Sequence, residues 1–149
     1  MITIFLLALA GAVIAAVVGT FWYSDKTPMG KIHMQFLGFD KLSEEDKKRK
    51  MEEAKPTMWK MYLIQMILSY LTAFAVVFIV FTSMRNGLSL GMSISFLVLN
   101  WLCFIVPTIG SGVIWSNRDR KIAWMKFVSD IVSNLVTILL TALLASLFV

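Results

Sequence analysis

Polar and apolar positions along the chain fall into long blocks. Ile2 to Tyr23 carries no charged side chain, nor does Met61 to Met84 or Leu88 to Asn117, and Ile122 to Val149 carries only Lys126 and Asp130. A bilayer hydrocarbon core about 30 Å thick is crossed by about 20 helical residues rising about 1.5 Å each. Each block is long enough. The pattern predicts an all-α, integral membrane four-helix bundle, one transmembrane domain over residues 1–149, with spans at 2–23, 60–84, 88–115 and 122–147.

Between the first two spans lies an arm, residues 24–58, of different character. In "KIHMQFLGFDKL" the apolar residues Ile32, Phe36, Leu37, Phe39 and Leu42 recur at roughly helical spacing, which predicts a short amphipathic helix in the membrane interface, ended or bent at Gly38. Ser43 then N-caps a charged helix, "SEEDKKRKMEEAK", with Glu44, Glu45 and Asp46 in its first turn, where the helix dipole favours acids. Glu44–Lys48 and Asp46–Lys50 are i,i+4 pairs of favourable polarity. Pro56 marks either a break or the first turn of the next helix. The charged helix reads as a solvated connector or a docking site.

Composition agrees with the blocks. Hydrophobic residues are 58% of the chain and charged residues 15%, against about 45–50% and about 25% in soluble domains. The first block lacks a positive n-region and "GTFWYSDK" is a poor cleavage site, so it is expected to be a retained helix. The net charge of +5 does not point to nucleic acid, because its placement follows membrane topology. Nine Lys and Arg lie between Ser24 and Lys60, three lie in "SNRDRK", and only Arg85 lies in the remaining loop. The positive-inside rule puts loops 24–58 and 116–121 in the cytoplasm and both termini outside, in the inner or plasma membrane. Trp22, Tyr23, Trp59, Tyr62, Trp115 and Trp124 are then expected to anchor the cytoplasmic interface.

Within the spans, Gly11, Ala15 and Gly19, and Ala8, Ala12 and Ala16, make a small-residue stripe suited to close helix packing, within one chain or between chains. Polar residues also form stripes: Gln65, Ser69 and Thr72; Asn100, Thr108 and Ser111; and Asp130, Ser133, Asn134, Thr137 and Thr141. Such groups are costly against acyl chains, so the stripes face protein or water. They either hydrogen-bond together in a bundle core or line a wet path. Asp130, an intramembrane carboxylate, is a functional candidate. It pairs with Lys126 one turn away, or with Lys31 or Lys60 of the arm, or serves a site. Pro107 in "VPTIGSG" is expected to kink the third helix. Cys103 reads as a buried inert thiol and His33, the only His, as an interfacial polar residue. No catalytic constellation, metal-ligand cluster or phosphate-binding loop is visible, so neither an enzyme nor a cofactor is expected.

The elements "GTFWYS", "GK", "MQFLG" and "NWLCFIVP", with "RDRKIAWMKFVSDIVSNLV" behind them, resemble the domain-of-unknown-function 1761 family of small prokaryotic membrane proteins over nearly the whole chain. Trp22, Tyr23, Ser24, Gly30, Lys31, Met34 and Gly38, then Trp101, Phe104 and Pro107, carry the likeness. Where the family commonly has Pro after Trp-Tyr-Ser, this chain has Asp25, and where an aromatic often sits it has His33. The resemblance implies four membrane helices and brings no established substrate or reaction. The signature is expected to fold back and seal the cytoplasmic end of the bundle. The leading functional expectation is an assembly or accessory module, acting as a homo-oligomer or with another membrane protein in the lipid bilayer. The alternative is an oligomeric channel or carrier for a small solute or ion, using the polar stripes and Asp130.

Overall fold

The computed structural model describes residues 1–149 and is all helical. Helix α1 spans Ile2–Trp22, α2 Pro28–Leu37, α3 Glu44–Arg85, α4 Leu90–Asn100, α5 Val106–Ile114 and α6 Arg120–Ser146. A 3-10 turn at Phe39–Lys41 links α2 to α3, and a π-helical turn at Trp101–Ile105 joins α4 to α5 into one 25-residue helix. Four helices are long and apolar enough to cross a membrane: α1, α3, α4–α5 and α6. Only 19 of the 149 residues are buried, while Leu6, Leu9, Leu71, Phe78, Leu99, Phe104 and Leu143 are exposed along the helices. An apolar exterior of that extent is compatible with a multi-pass membrane protein.

The largest departure from the sequence pattern is α3. The charged segment and the second span are one helix of 42 residues with Pro56 inside it. At about 1.5 Å per residue it is about 63 Å long, roughly twice a bilayer core. Pro56 leaves one carbonyl, that of Glu52, without its amide donor. Residues 52–57 are exposed apart from half-buried Ala54, so water can serve that carbonyl and the helix continues. Ser43 caps α3 as its position predicts, its hydroxyl accepting from the Asp46 amide at 3.1 Å. The ion pairs differ in register: Glu44 pairs with Lys47 at 2.6 Å and Asp46 with Arg49 at 2.8 Å, both i,i+3.

Pro107 also acts otherwise than by a simple break. Its ring meets the carbonyl four residues back, that of Cys103. In the preceding turn the ladder widens, and the Val106 amide donates to Trp101 O, an i→i+5 bond. The helix passes through Pro107 without interruption. Cys103 lies on this stretch and is exposed rather than buried.

The core lies in the half of the bundle nearest the chain termini. Leu7 of α1, Val76, Val77, Val80 and Phe81 of α3, Leu97 of α4 and Ile138, Ala142 and Ala145 of α6 pack together there. The small-residue stripe makes this contact within one chain: Ala8 and Ala12 are fully buried. A Cβ on Gly11 would stand 2.7 Å from both Ala73 Cβ and Thr141 Cγ2. Toward the arm, packing loosens. From Trp59 to Thr72 no residue of α3 is buried.

Candidate functional site

Two groups of residues that are far apart in sequence meet on the arm side of α6. The first is the turn after α1. Thr27 organises it: its amide donates to Ser24 O at 2.9 Å, and its hydroxyl lies 2.8 Å from both Trp22 O and Ser24 O. The same oxygen accepts from the Gly30 amide at 3.0 Å, which caps α2, and Pro28 follows at the first helical position. The turn is closed against Gly30, where a Cβ would fall 1.8 Å from Ser24 O. Gly38 ends α2 at φ 77°, a left-handed cap, as its position predicts.

This turn aims Trp22 and Tyr23 inward. Trp22 Nε1 donates to Ser129 Oγ at 3.0 Å and Tyr23 OH donates to Asp130 Oδ1 at 2.6 Å. They are tied to α6 rather than serving as free interfacial anchors. Trp59, Tyr62, Trp115 and Trp124 are the aromatic residues exposed as that role requires. Lys126 contacts both carboxylate oxygens of Asp130. Its Nζ lies 5.0 Å from the Tyr23 ring centroid and 5.9 Å from that of Phe36 on α2, within cation–π range. Asp130 thus pairs along α6, and neither Lys31 nor Lys60 reaches it. His33 of α2 packs against Tyr23 with ring centroids 5.0 Å apart and planes tilted by 49°, and its Nδ1 is buried without a partner. Burial holds the His33 imidazole below its usual range, and the Lys126 charge adds to that against a smaller opposing effect of Asp130.

The second group is the polar stripes of α3 and α6. Gln65, Ser69 and Thr72 face Asp130, Ser133, Asn134, Thr137 and Thr141 across a cavity of about 450 Å³. Gly11, Ala15, Gly19 and Tyr23 from the α1 side and Ile109 of α5 also line it. It runs from the Gly11–Ala73–Thr141 contact to the Tyr23–Asp130 bond. No hydrogen bond joins the α3 stripe to the α6 stripe across it. Gln65 bonds to Ser69 at 3.4 Å, Thr72 to Leu68 O at 3.1 Å and Thr137 to Ser133 O at 3.0 Å, each within its own helix. Asn134 Oδ1 is buried and has no partner. Gly19, unlike Gly11, has open space where a side chain would stand.

The third stripe does not join. Asn100 bonds to Phe96 O at 2.8 Å and lines a separate, mostly apolar crevice between α3 and α4. Thr108 bonds back to Phe104 O at 2.6 Å, and Ser111 is exposed. Of the signature residues, Trp22, Tyr23, Ser24 and Gly30 build the turn, while Lys31 is exposed and makes no ion pair. Thr27 and Ser129 are contributors that the sequence reading passed over, and Phe36 reads in sequence only as part of the apolar face of the arm. For Thr27 a signal existed: Thr-Pro ahead of an apolar run marks a helix start.

No group of three or more His, Cys, Asp or Glu side chains is placed to hold a metal ion. Chemically, the site offers one carboxylate, an aromatic face and many neutral hydrogen-bonding groups. That set suits binding. No curated protein and no solved structure matches the chain. A family model described as protein of unknown function (DUF1761) matches residues 6–146. The turn after α1 and the stripes it meets on α6 both lie inside that match, and the chain belongs to this family.

Proposed function

We propose that the chain is a multi-pass membrane protein that holds a small solute in the cleft between α1, α3 and α6, as a carrier or channel component. The observation that carries this reading is the cleft itself. Two polar stripes face each other over about 450 Å³ without one hydrogen bond between them. Packed stripes would satisfy one another, because unmet polar groups in hydrocarbon are costly. A space of this size falls in the range of small-molecule sites. Binding, not catalysis, is the task proposed.

The charge pattern supports a cytoplasmic arm, since nine basic side chains lie between Ser24 and Lys60. The cleft then lies in the cytoplasmic half, and the close-packed half around Val77 and Val80 separates it from the outside. A second reading, an accessory module working by assembly, rests on the first turns of α3: no residue from Glu44 to Lys60 is buried. The mass of the purified chain in membrane discs separates oligomer from monomer.

Thiol accessibility tests the cleft. With Cys103 replaced by Ala, Ser69→Cys and Thr137→Cys should react with a water-soluble, membrane-impermeant maleimide, and Leu71→Cys should not. Filling the cleft with Gly19→Leu should slow the first two. Unreactive thiols at both 69 and 137 would mean a dry interior and would overturn the reading.

A further inference from the structure

We propose that the solute is an organic ammonium, and that Lys126 is a built-in competitor for its site. This rests on the cleft reading above and names the chemical class the cleft takes. Three observations converge on it. Asp130 is the one charged side chain lining the cleft; no Lys, Arg or His lines it. The unmet polar group on the same face is also an acceptor: Asn134 Oδ1, one helical turn along α6 from Asp130, is buried without a donor. A carboxylate beside an unpaired carbonyl oxygen repels anions. An ammonium carries three donors and no acceptor, so it fits both.

The third observation is what holds Asp130 now. Lys126 does not line the cleft, yet it places a primary ammonium against both carboxylate oxygens. Tyr23 and Phe36 present their rings to that ammonium. The side chains keep 12% and 24% exposure, so the pair is not sealed. The structure therefore displays the head group that fits Asp130, on a four-carbon stem delivered from outside the cleft. An ammonium arriving through the cleft meets the carboxylate from its other side and replaces Lys126, which retains the Phe36 face. Exchanging one cation for another keeps the carboxylate neutralised throughout, while the displaced Lys126 ammonium keeps only the Phe36 ring and loses its counter-charge, a cost that makes the lysine a competitor. Tyr23, bonded to Asp130 and lining the cleft, offers the incoming cation its aromatic face.

The probe is n-butylammonium, the lysine side chain without its backbone, and the control is pentan-1-ol, of similar size and no charge. Binding is measured by calorimetry on the full chain in discs of zwitterionic lipid. Wild type should bind the ammonium saturably and in preference to the alcohol. Lys126→Met should tighten ammonium binding tenfold or more, Asp130→Asn should abolish the preference, and Gly19→Leu should weaken both probes. Lys126→Gln serves if the Met variant does not fold, and the wild-type preference needs no variant. Equal binding of ammonium and alcohol, or of sodium ion in place of the ammonium, overturns the class. So does unchanged affinity in the Lys126 variants. If the thiols at 69 and 137 react with maleimide while the ammonium is not preferred, the class falls and the cleft stands. If those thiols are inert as well, both fall.

Discussion

Gly30→Ala is the sharpest test of how the arm is held. The added Cβ would lie 1.8 Å from Ser24 O, 2.5 Å from Ser24 C and 2.9 Å from Tyr23 O. All three are backbone atoms, and Thr27 holds Ser24 O through its amide and hydroxyl. They have no rotamer to escape into, so α2 must move off the turn. Overpacking of this kind costs about 1–3 kcal/mol. Displacing Tyr23 from Asp130 adds a hydrogen bond to a charged group, worth about 1.5–3 kcal/mol. For a chain of this length each kcal/mol lowers Tm by about 2–4 °C, so the expected drop is roughly 5–25 °C. Thermal unfolding in mild detergent, followed by tryptophan fluorescence, reads it directly. Gly19→Ala is the control, because nothing lies within 4 Å of its Cβ position. Gly38→Ala should fall between the two, since φ is 77° there but the nearest atom, on the Arg118 guanidinium, is 3.5 Å away. A Gly30→Ala protein melting within about 2 °C of wild type would refute the close approach of α2 to the turn.

Other consequences follow from the same geometry. Lys126→Met and Asp130→Asn should each lower stability by about 1–3 kcal/mol, below the range for fully buried pairs because both groups keep some exposure. The double variant should lose less than the sum, and strict additivity in a double-mutant cycle would deny the pair. His33 is held below its usual range by burial and by Lys126. The undocked arm therefore takes up a proton that the docked arm does not, so docking is strongest above the undocked value of about 6.5 and weakens as pH falls through it. Tm should decline on acidification through that window, and His33→Phe, which keeps a ring against Tyr23, should flatten the profile. Spin labels at Lys48 and Leu71 should sit about 35 Å apart in a narrow distribution, the length of 23 helical residues. A short, broad distribution would mean that Pro56 is a hinge.

Much of the architecture is legible in the chain because it depends on neighbours in sequence. The number of helices long enough to span follows from uncharged runs set against bilayer thickness. Ser43 and Gly38 announce a cap and a stop through local chemistry. The Lys126–Asp130 pair is legible for the same reason, being one turn apart on one helix. Where a local rule went astray, solvent and ladder register were the cause. A Pro breaks a helix only if the freed carbonyl has no other partner and the ladder cannot shift. At Pro56 the freed carbonyl lies on an exposed stretch that water can reach, and at Pro107 the ladder widens into a π turn.

The site depends on contacts across the fold. Trp22 and Tyr23 read as interfacial anchors because aromatic residues at a span end commonly serve that way. Their partners, Ser129 and Asp130, lie 107 residues further on. Three polar stripes look equivalent in sequence, since period alone marks a face and not what it meets. Helix packing put those of α3 and α6 on one cleft and turned Asn100 to another crevice. The small-residue stripe likewise splits: Gly11 closes against Ala73 and Thr141, while Gly19 opens onto the cleft. By itself the sequence determined which segments are helical and which residues share a face, because these follow from periodicity, charge and capping along the chain. The tertiary structure decided which faces meet and which stand apart. That choice joined the turn after α1 to the carboxylate of α6 and left a polar cleft beside them.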